Sequence, residues 1–192
     1  MKGTFRPPAL LLAVAVAALL VVPAAQGAIF DRSRLVDEPY SFQDVICGTE
    51  VQIEGTLTEA ERIRTGTGKL ATAFLDHFTA NFSETWTAAN GRSVTVTGRF
   101  TTNDVKVVPL GDNVFRFTAV QAGQPFRLYD SQGNLLLRDR GVIRLSIIFD
   151  TLGDTTPGGV VIEELEPSVR GPHPGFDDET LCPVLVPLLT GP

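Results

Sequence analysis

Few side chains in this sequence could do chemistry, and their spacing limits what each could do. Asp76, His77 and Glu84 sit close together in one segment, with His173 and the two cysteines, Cys47 and Cys182, far from it. Two carboxyls on a common surface could act as general acid and base, or hold a polar group of a ligand. A histidine needs an orienting acid and a nucleophile before it can serve as a base. The segment alternates with period two. Phe78, Ala80, Phe82 and Trp86 fall on one face, and Thr79, Asn81, Ser83 and Thr85 on the other. Asp76 and Glu84 therefore share the apolar face, while His77 points the other way, towards solvent. The plainer reading, with Asp76 at a strand start and Glu84 leaning to a rim, is preferred over an acid/base pair, because unpaired buried carboxylates are costly.

The remaining candidates read as structural. In an oxidising compartment Cys47 and Cys182 form one disulfide that closes a loop of about 135 residues, since no Cys-x-x-Cys or neighbouring base marks a reactive thiol. His173, in Gly171-Pro172-His173-Pro174-Gly175, reads as a loop residue. Gly66-Thr67-Gly68-Lys69 lacks the first glycine of a phosphate loop, where Ile63 stands, and the Ser or Thr after the lysine, where Leu70 stands. The acidic runs Glu163-Glu164-Leu165-Glu166 and Asp177-Asp178-Glu179 lack the spacing of a calcium loop and read as charged surface. Two cysteines and two histidines are too few for a zinc ribbon. The sequon Asn81-Phe82-Ser83 falls mid-strand and is discounted. The sequence assigns no catalytic residue, no metal and no cofactor.

The elements that carry these residues begin after an export signal. Lys2 and Arg6 precede an apolar run of 14 residues, Ala9 to Val22, too short to span a bilayer, which needs about 20. Pro23 ends the run. Ala25 and Gly27 suit signal peptidase, so cleavage is expected after Gly27, giving residues 1–27 as signal and a secreted product without a second long apolar run. The whole chain has a net charge of −6; losing Lys2 and Arg6 leaves 14 basic against 22 acidic residues, or −8. That balance argues against nucleic acid as a partner, because binding phosphates needs a basic face.

Beyond a lead-in at residues 28–38, the span 39–166 reads as one all-β domain. Strands are expected around Val51–Leu57, Phe78–Trp86, Val94–Phe100, Phe115–Ala119, Phe126–Tyr129, Leu135–Arg138, Ile143–Phe149 and Val160–Leu165. The connection Ala89-Asn90-Gly91 is expected as a three-residue hairpin with a bulge. A two-residue loop would set Trp86 against a polar Thr95, whereas this one pairs it with Val94. An antiparallel meander of about eight strands must bury one face and protect its edges, so a closed barrel is expected ahead of a two-sheet sandwich. The aromatic residues of that apolar face, Phe78, Phe82, Trp86, Phe100, Phe115 and Phe117, are the candidate lining for a small hydrophobic ligand. Residues 167–192 form a Pro-rich tail, tied back by the disulfide, in which Asp177-Asp178-Glu179 could open a short helix limited by Pro183.

The signal, Cys47-Gly48 near the mature N-terminus, Ala88 to Phe100 (AANGRSVTVTGRF) and Leu181 to Leu185 (LCPVL) together resemble a group of uncharacterised secreted proteins of actinobacteria. The resemblance implies export, a β-rich domain and pairing of the first cysteine with the last. It carries no activity. Three functions are weighed: a non-enzymatic protein holding a small apolar ligand, an envelope or extracellular interaction protein, and a barrel-type cyclase or isomerase.

Overall fold

The computed structural model describes residues 30–66, 68–154 and 158–191, so the expected export signal lies outside them. Eight strands are described: β1 (Phe30–Ile46), β2 (Thr49–Thr65), β3 (Phe74–Ala88), β4 (Ser93–Gly111), β5 (Val114–Tyr129), β6 (Leu135–Arg138), β7 (Gly141–Asp150) and β8 (Val160–Arg170). A helix, α1 (Asp178–Thr190), closes the order. The sheet is an antiparallel meander, β1-β2-β3-β4-β5-β7-β8, with the stub β6 beside the end of β5.

The sheet does not close into a barrel; β1 and β8 remain its edges. The reason lies in the count. Because β6 pairs only with β5, seven strands follow one another along the sheet, and every neighbouring pair is antiparallel. The first and last strands then run in the same direction, so a simple up-and-down closure has no antiparallel partner to offer. The open edges are blunted by a bulge between Leu35 and Glu38 and by Pro39 on β1, and by Pro167 on β8.

One face of the sheet, here the inner face, is covered instead by α1. Leu181, Leu185 and Leu189 recur every four residues and pack on Val51, Ile53, Trp86, Ala88, Val94, Val96, Phe126 and Leu128. The helix runs through Pro183 and Pro187, past the limit expected at Pro183. Both prolines are exposed, on the side away from the leucine stripe, so the two missing N–H bonds fall where water can satisfy the freed carbonyls. Asp177 caps the start, accepting from the Glu179 N–H at 3.1 Å. At the other end, Arg92 Nε donates to the Leu188 carbonyl and Asn90 Nδ2 to the Leu189 carbonyl, each at 2.8 Å. These donors come from the β3–β4 hairpin, which has the expected form: Trp86 faces Val94, and Gly91 takes φ 82°. A second cluster, Ala73, Phe115 and Phe117 with Leu70, Val107, Ile147 and Phe149, fills the far end of the inner face.

The disulfide pins this arrangement. Cys47 and Gly48, both at positive φ, make the two-residue β1–β2 turn, and Cys47 bonds to Cys182 on α1 across a separation of 135 residues. A loop of that length confines the unfolded chain by about 5 kcal/mol on the chain-entropy estimate. Replacing both cysteines by serine is expected to lower the urea midpoint accordingly and to make residues 171–192 the first segment cut in limited proteolysis.

Candidate functional site

Glu84 lies in the body of the sheet, not at a rim, with a relative exposure of 1%. Tyr40 Oη donates to its Oε1 and Trp86 Nε1 to its Oε2, both at 2.6 Å. Tyr40 can reach it because the residue between them on β2 is Gly55. Tyr40, Gly55 and Glu84 lie directly across from one another on β1, β2 and β3, and a Cβ at Gly55 would sit 2.8 Å from the Tyr40 ring. Burial raises the Glu84 pKa above the ordinary carboxylate range, and the two donors oppose that shift. Both oxygens are engaged, so Glu84 is a structural tie between three strands and is not free to act on a ligand. Tyr40→Phe removes one donor from this carboxyl and is expected to cost about 1.5–3 kcal/mol in urea unfolding.

Asp76 shares that face but stands eight residues away along β3, roughly 27 Å at the rise of a strand. It belongs to an acidic group with Glu61 and Asp104, whose Oδ2 accepts the Asp76 N–H at 2.8 Å. Burial, then the charges of Glu61 and Asp104, push the Asp76 pKa up to about 7. Glu59, nearby on β2, is 8% exposed, its Oε2 has no hydrogen-bond partner, and burial followed by the Glu61 charge raises its pKa. His77 is exposed on the opposite face beside Asn103. Asp76, His77 and Glu84 therefore do not converge, and the acid/base reading has no geometry to support it.

The aromatic candidates divide among several places. Trp86 is in the core beneath α1, its ring tilted 46° to that of Phe126 at 6.2 Å; Phe115 and Phe117 belong to the far cluster. Phe78 and Phe100 face each other at 6.0 Å in the middle of the inner face, and the Phe82 ring lies over Gly98, where a Cβ would meet it at 2.2 Å. None of the six lines the larger cleft described next.

That cleft, of about 630 Å³, opens where β6, β7 and β8 meet the segment leading into α1. Leu136, Leu137, Ile143, Leu145, Val169 and Phe176 make it mainly apolar. His173, in a loop as its flanking prolines and glycines indicate, lines it and is buried. Its Nδ1 lies 3.5 Å from Oδ2 of Asp139, a residue with no exposed surface, and Asp139 Oδ1 accepts the Gly175 N–H at 2.9 Å. At 3.5 Å the contact is an ion-pair approach, too long for a good hydrogen bond, and both ring nitrogens of His173 lack a hydrogen-bond partner. Burial raises the Asp139 pKa; the Gly175 N–H and then His173 oppose it. Asp139 had no signal in the sequence, because the β6–β7 turn and the tail meet only in the folded chain. Arg140 N–H to the Pro172 carbonyl, at 2.8 Å, holds that junction.

Charge is sorted by face. On the inner face the paired strand positions hold Asp31, Glu38 and Asp44 of β1, Glu59 and Glu61 of β2, Asp76 and Glu84 of β3, Asp104 of β4 and Glu164 of β8, with no lysine or arginine. The outer face holds Arg32 and Arg34 of β1, Arg62 and Arg64 of β2, and Arg99 and Lys106 of β4. Arg116 and Arg127 of β5, Arg138 of β6, Arg144 of β7 and Arg170 of β8 extend that set. Among the described residues no group of three or more His, Cys, Asp or Glu side chains could hold a metal ion, and no helix is long and apolar enough to cross a membrane. No family model, curated protein or solved structure matches the chain.

The raised pKa of Asp76 has a definite sign. The folded state holds its proton up to about pH 7, while the unfolded chain releases it near 3.8, so stability falls as pH rises through that window. Asp76→Asn is expected to flatten the slope and to stabilise the protein at pH 8 by on the order of 1–2 kcal/mol, discounted for the part of the side chain that stays in water. Urea unfolding at pH 5 and pH 8 measures it.

Proposed function

We propose that the chain is an exported, non-enzymatic binding protein that holds a small, mainly apolar ligand in the cleft between β6, β7, β8 and the tail. The observation that carries this reading is a buried histidine, with both ring nitrogens unpartnered, set in the wall of an apolar cleft of about 630 Å³. A ligand with one hydrogen-bonding group would satisfy His173 while its hydrocarbon part covers Leu137, Ile143 and Leu145. Asp139 beside Nδ1 favours the tautomer with the proton on Nδ1, which leaves Nε2 an acceptor, so the matching ligand group is a donor such as a hydroxyl. The export signal and the Cys47–Cys182 bond support a location outside the cytoplasm. The resemblance to secreted actinobacterial proteins is consistent with the same location.

The test is native mass spectrometry of the protein purified from its own host, with titration of the stripped protein by the neutral apolar dye Nile red. Saturable dye binding is expected, with affinity at least tenfold weaker in Leu145→Trp, which fills the cleft. A clean protein mass combined with no saturable dye uptake would sink the reading. His173→Phe is expected to retain the dye and to lose preference for a long-chain alcohol over the alkane of equal length.

A further inference from the structure

The acidic composition conceals a basic surface. Strand parity places eleven of the mature chain's lysines and arginines on the outer face, which α1 leaves uncovered, against Glu50, Glu54, Asp150 and Glu163 in paired positions there and Asp37 in the β1 bulge, bonded to Thr58. All but Arg127 of these cations are exposed. None has a carboxylate within ion-pair distance among the described residues. The arrangement works against stability. Arg32 faces Arg62 directly across the β1–β2 ladder, and Arg127 faces Arg138 across the β5–β6 ladder. Like charges directly opposite one another destabilise a sheet. Nothing in the fold requires guanidinium groups at these solvent-facing positions.

We infer that this outer face binds a linear anionic polysaccharide. Arg32 and Arg62 stand opposite each other about 5 Å apart, and Arg34 and Arg64 lie about 7 Å further along β1 and β2 in opposite directions, so each cation has a neighbour inside one Debye length at physiological salt. Planar guanidinium groups pair with carboxylate or sulfate in two-pronged hydrogen bonds. Between the cations the face carries Thr56, Asn81 and Thr101, whose hydroxyl and amide groups suit sugar oxygens, beside Thr58 and Thr79, which are bonded to Asp37 and to the Ala60 carbonyl. A polar depression of about 510 Å³ interrupts it, flanked by Arg99 and Arg127 with Asn81 and Gln124. Arg127 Nε is buried there without a partner. A bilayer fits less well, because the larger apolar side chains of the face, Leu75 opposite Arg64, Ile148 opposite Arg116 and Tyr129 opposite Leu135, are partly buried apart from Leu135 and stand scattered over three places instead of forming a wedge. Location outside the cytoplasm favours a polysaccharide over nucleic acid. Of the eleven cations only Arg138 also lines the cleft, so the inference does not rest on the cleft.

The experiment is fluorescence anisotropy of a labelled heparin oligosaccharide titrated with the full chain, beside vesicles of phosphatidylglycerol and phosphatidylcholine and a single-stranded DNA. Binding to the oligosaccharide is expected, tighter than to either competitor, and weakening at least tenfold between about 50 and about 200 mM salt. The triple variant Arg32→Gln, Arg62→Gln, Arg64→Gln is expected to lose at least tenfold in affinity, and Glu61→Gln, on the inner face, to stay within about twofold. No binding at the lower salt, affinity independent of salt, or tighter binding to vesicles or DNA overturns the inference. A folded triple variant that binds like the parent does the same. Should that variant not fold, the salt dependence and the ranking of the three probes decide the matter.

Discussion

A β-strand sends successive side chains to opposite faces, and here that alternation runs through seven strands in a row, interrupted only at bulges. One continuous sheet must therefore satisfy two environments at once. Its apolar residues collect on the inner face, where Val51, Ile53, Trp86, Val94, Val96 and Leu128 form the main core. Its arginines collect on the outer face. A shift of register by one residue in any strand would exchange the two sets, so core formation and charge sorting are fixed by the same pairing.

Such a sheet cannot protect its inner face by closing on itself, because the strands at its two edges run in the same direction. The C-terminal helix takes over that role, and three devices hold it. The disulfide ties it to the β1–β2 turn, the leucine stripe seats it on the core, and the β3–β4 hairpin caps its last carbonyls through Asn90 and Arg92. The two prolines inside the helix are tolerated because their lost bonds face water. Burial of the opposite side supplies a stabilisation that local propensity, which would end the helix at Pro183, does not count.

The carboxyl groups show how little of a site can be judged one strand at a time. Period-two reading placed Asp76 and Glu84 on the apolar face and His77 on the polar one, and the register agrees. It could not see that Tyr40 reaches over Gly55 to hold Glu84, because that contact crosses two ladders. His173 is the opposite case. Its flanking prolines and glycines read as a loop, which it is, yet the loop is folded onto Asp139 and into the wall of the cleft. The aromatic residues were legible as core-facing, but their division among the α1 core, the far cluster and the middle of the face depends on where the covering elements land.

The sequence by itself determined the alternation, and with it the antiparallel meander, the pairing of Trp86 with Val94 through the three-residue hairpin, and the Cys47–Cys182 bond. These are local patterns or, for the disulfide, a choice with a single solution. Tertiary structure alone decided that the sheet stays open, that a proline-containing helix covers it, and that the cleft lies at β6–β8 and not among the phenylalanines. The physical reason is the diversion of β6 alone beside β5. That four-residue strand obeys the same period as the rest, and nothing in its own sequence tells whether it continues the sheet or ends beside its neighbour; only the competition with β7 for the edge of β5 settles it.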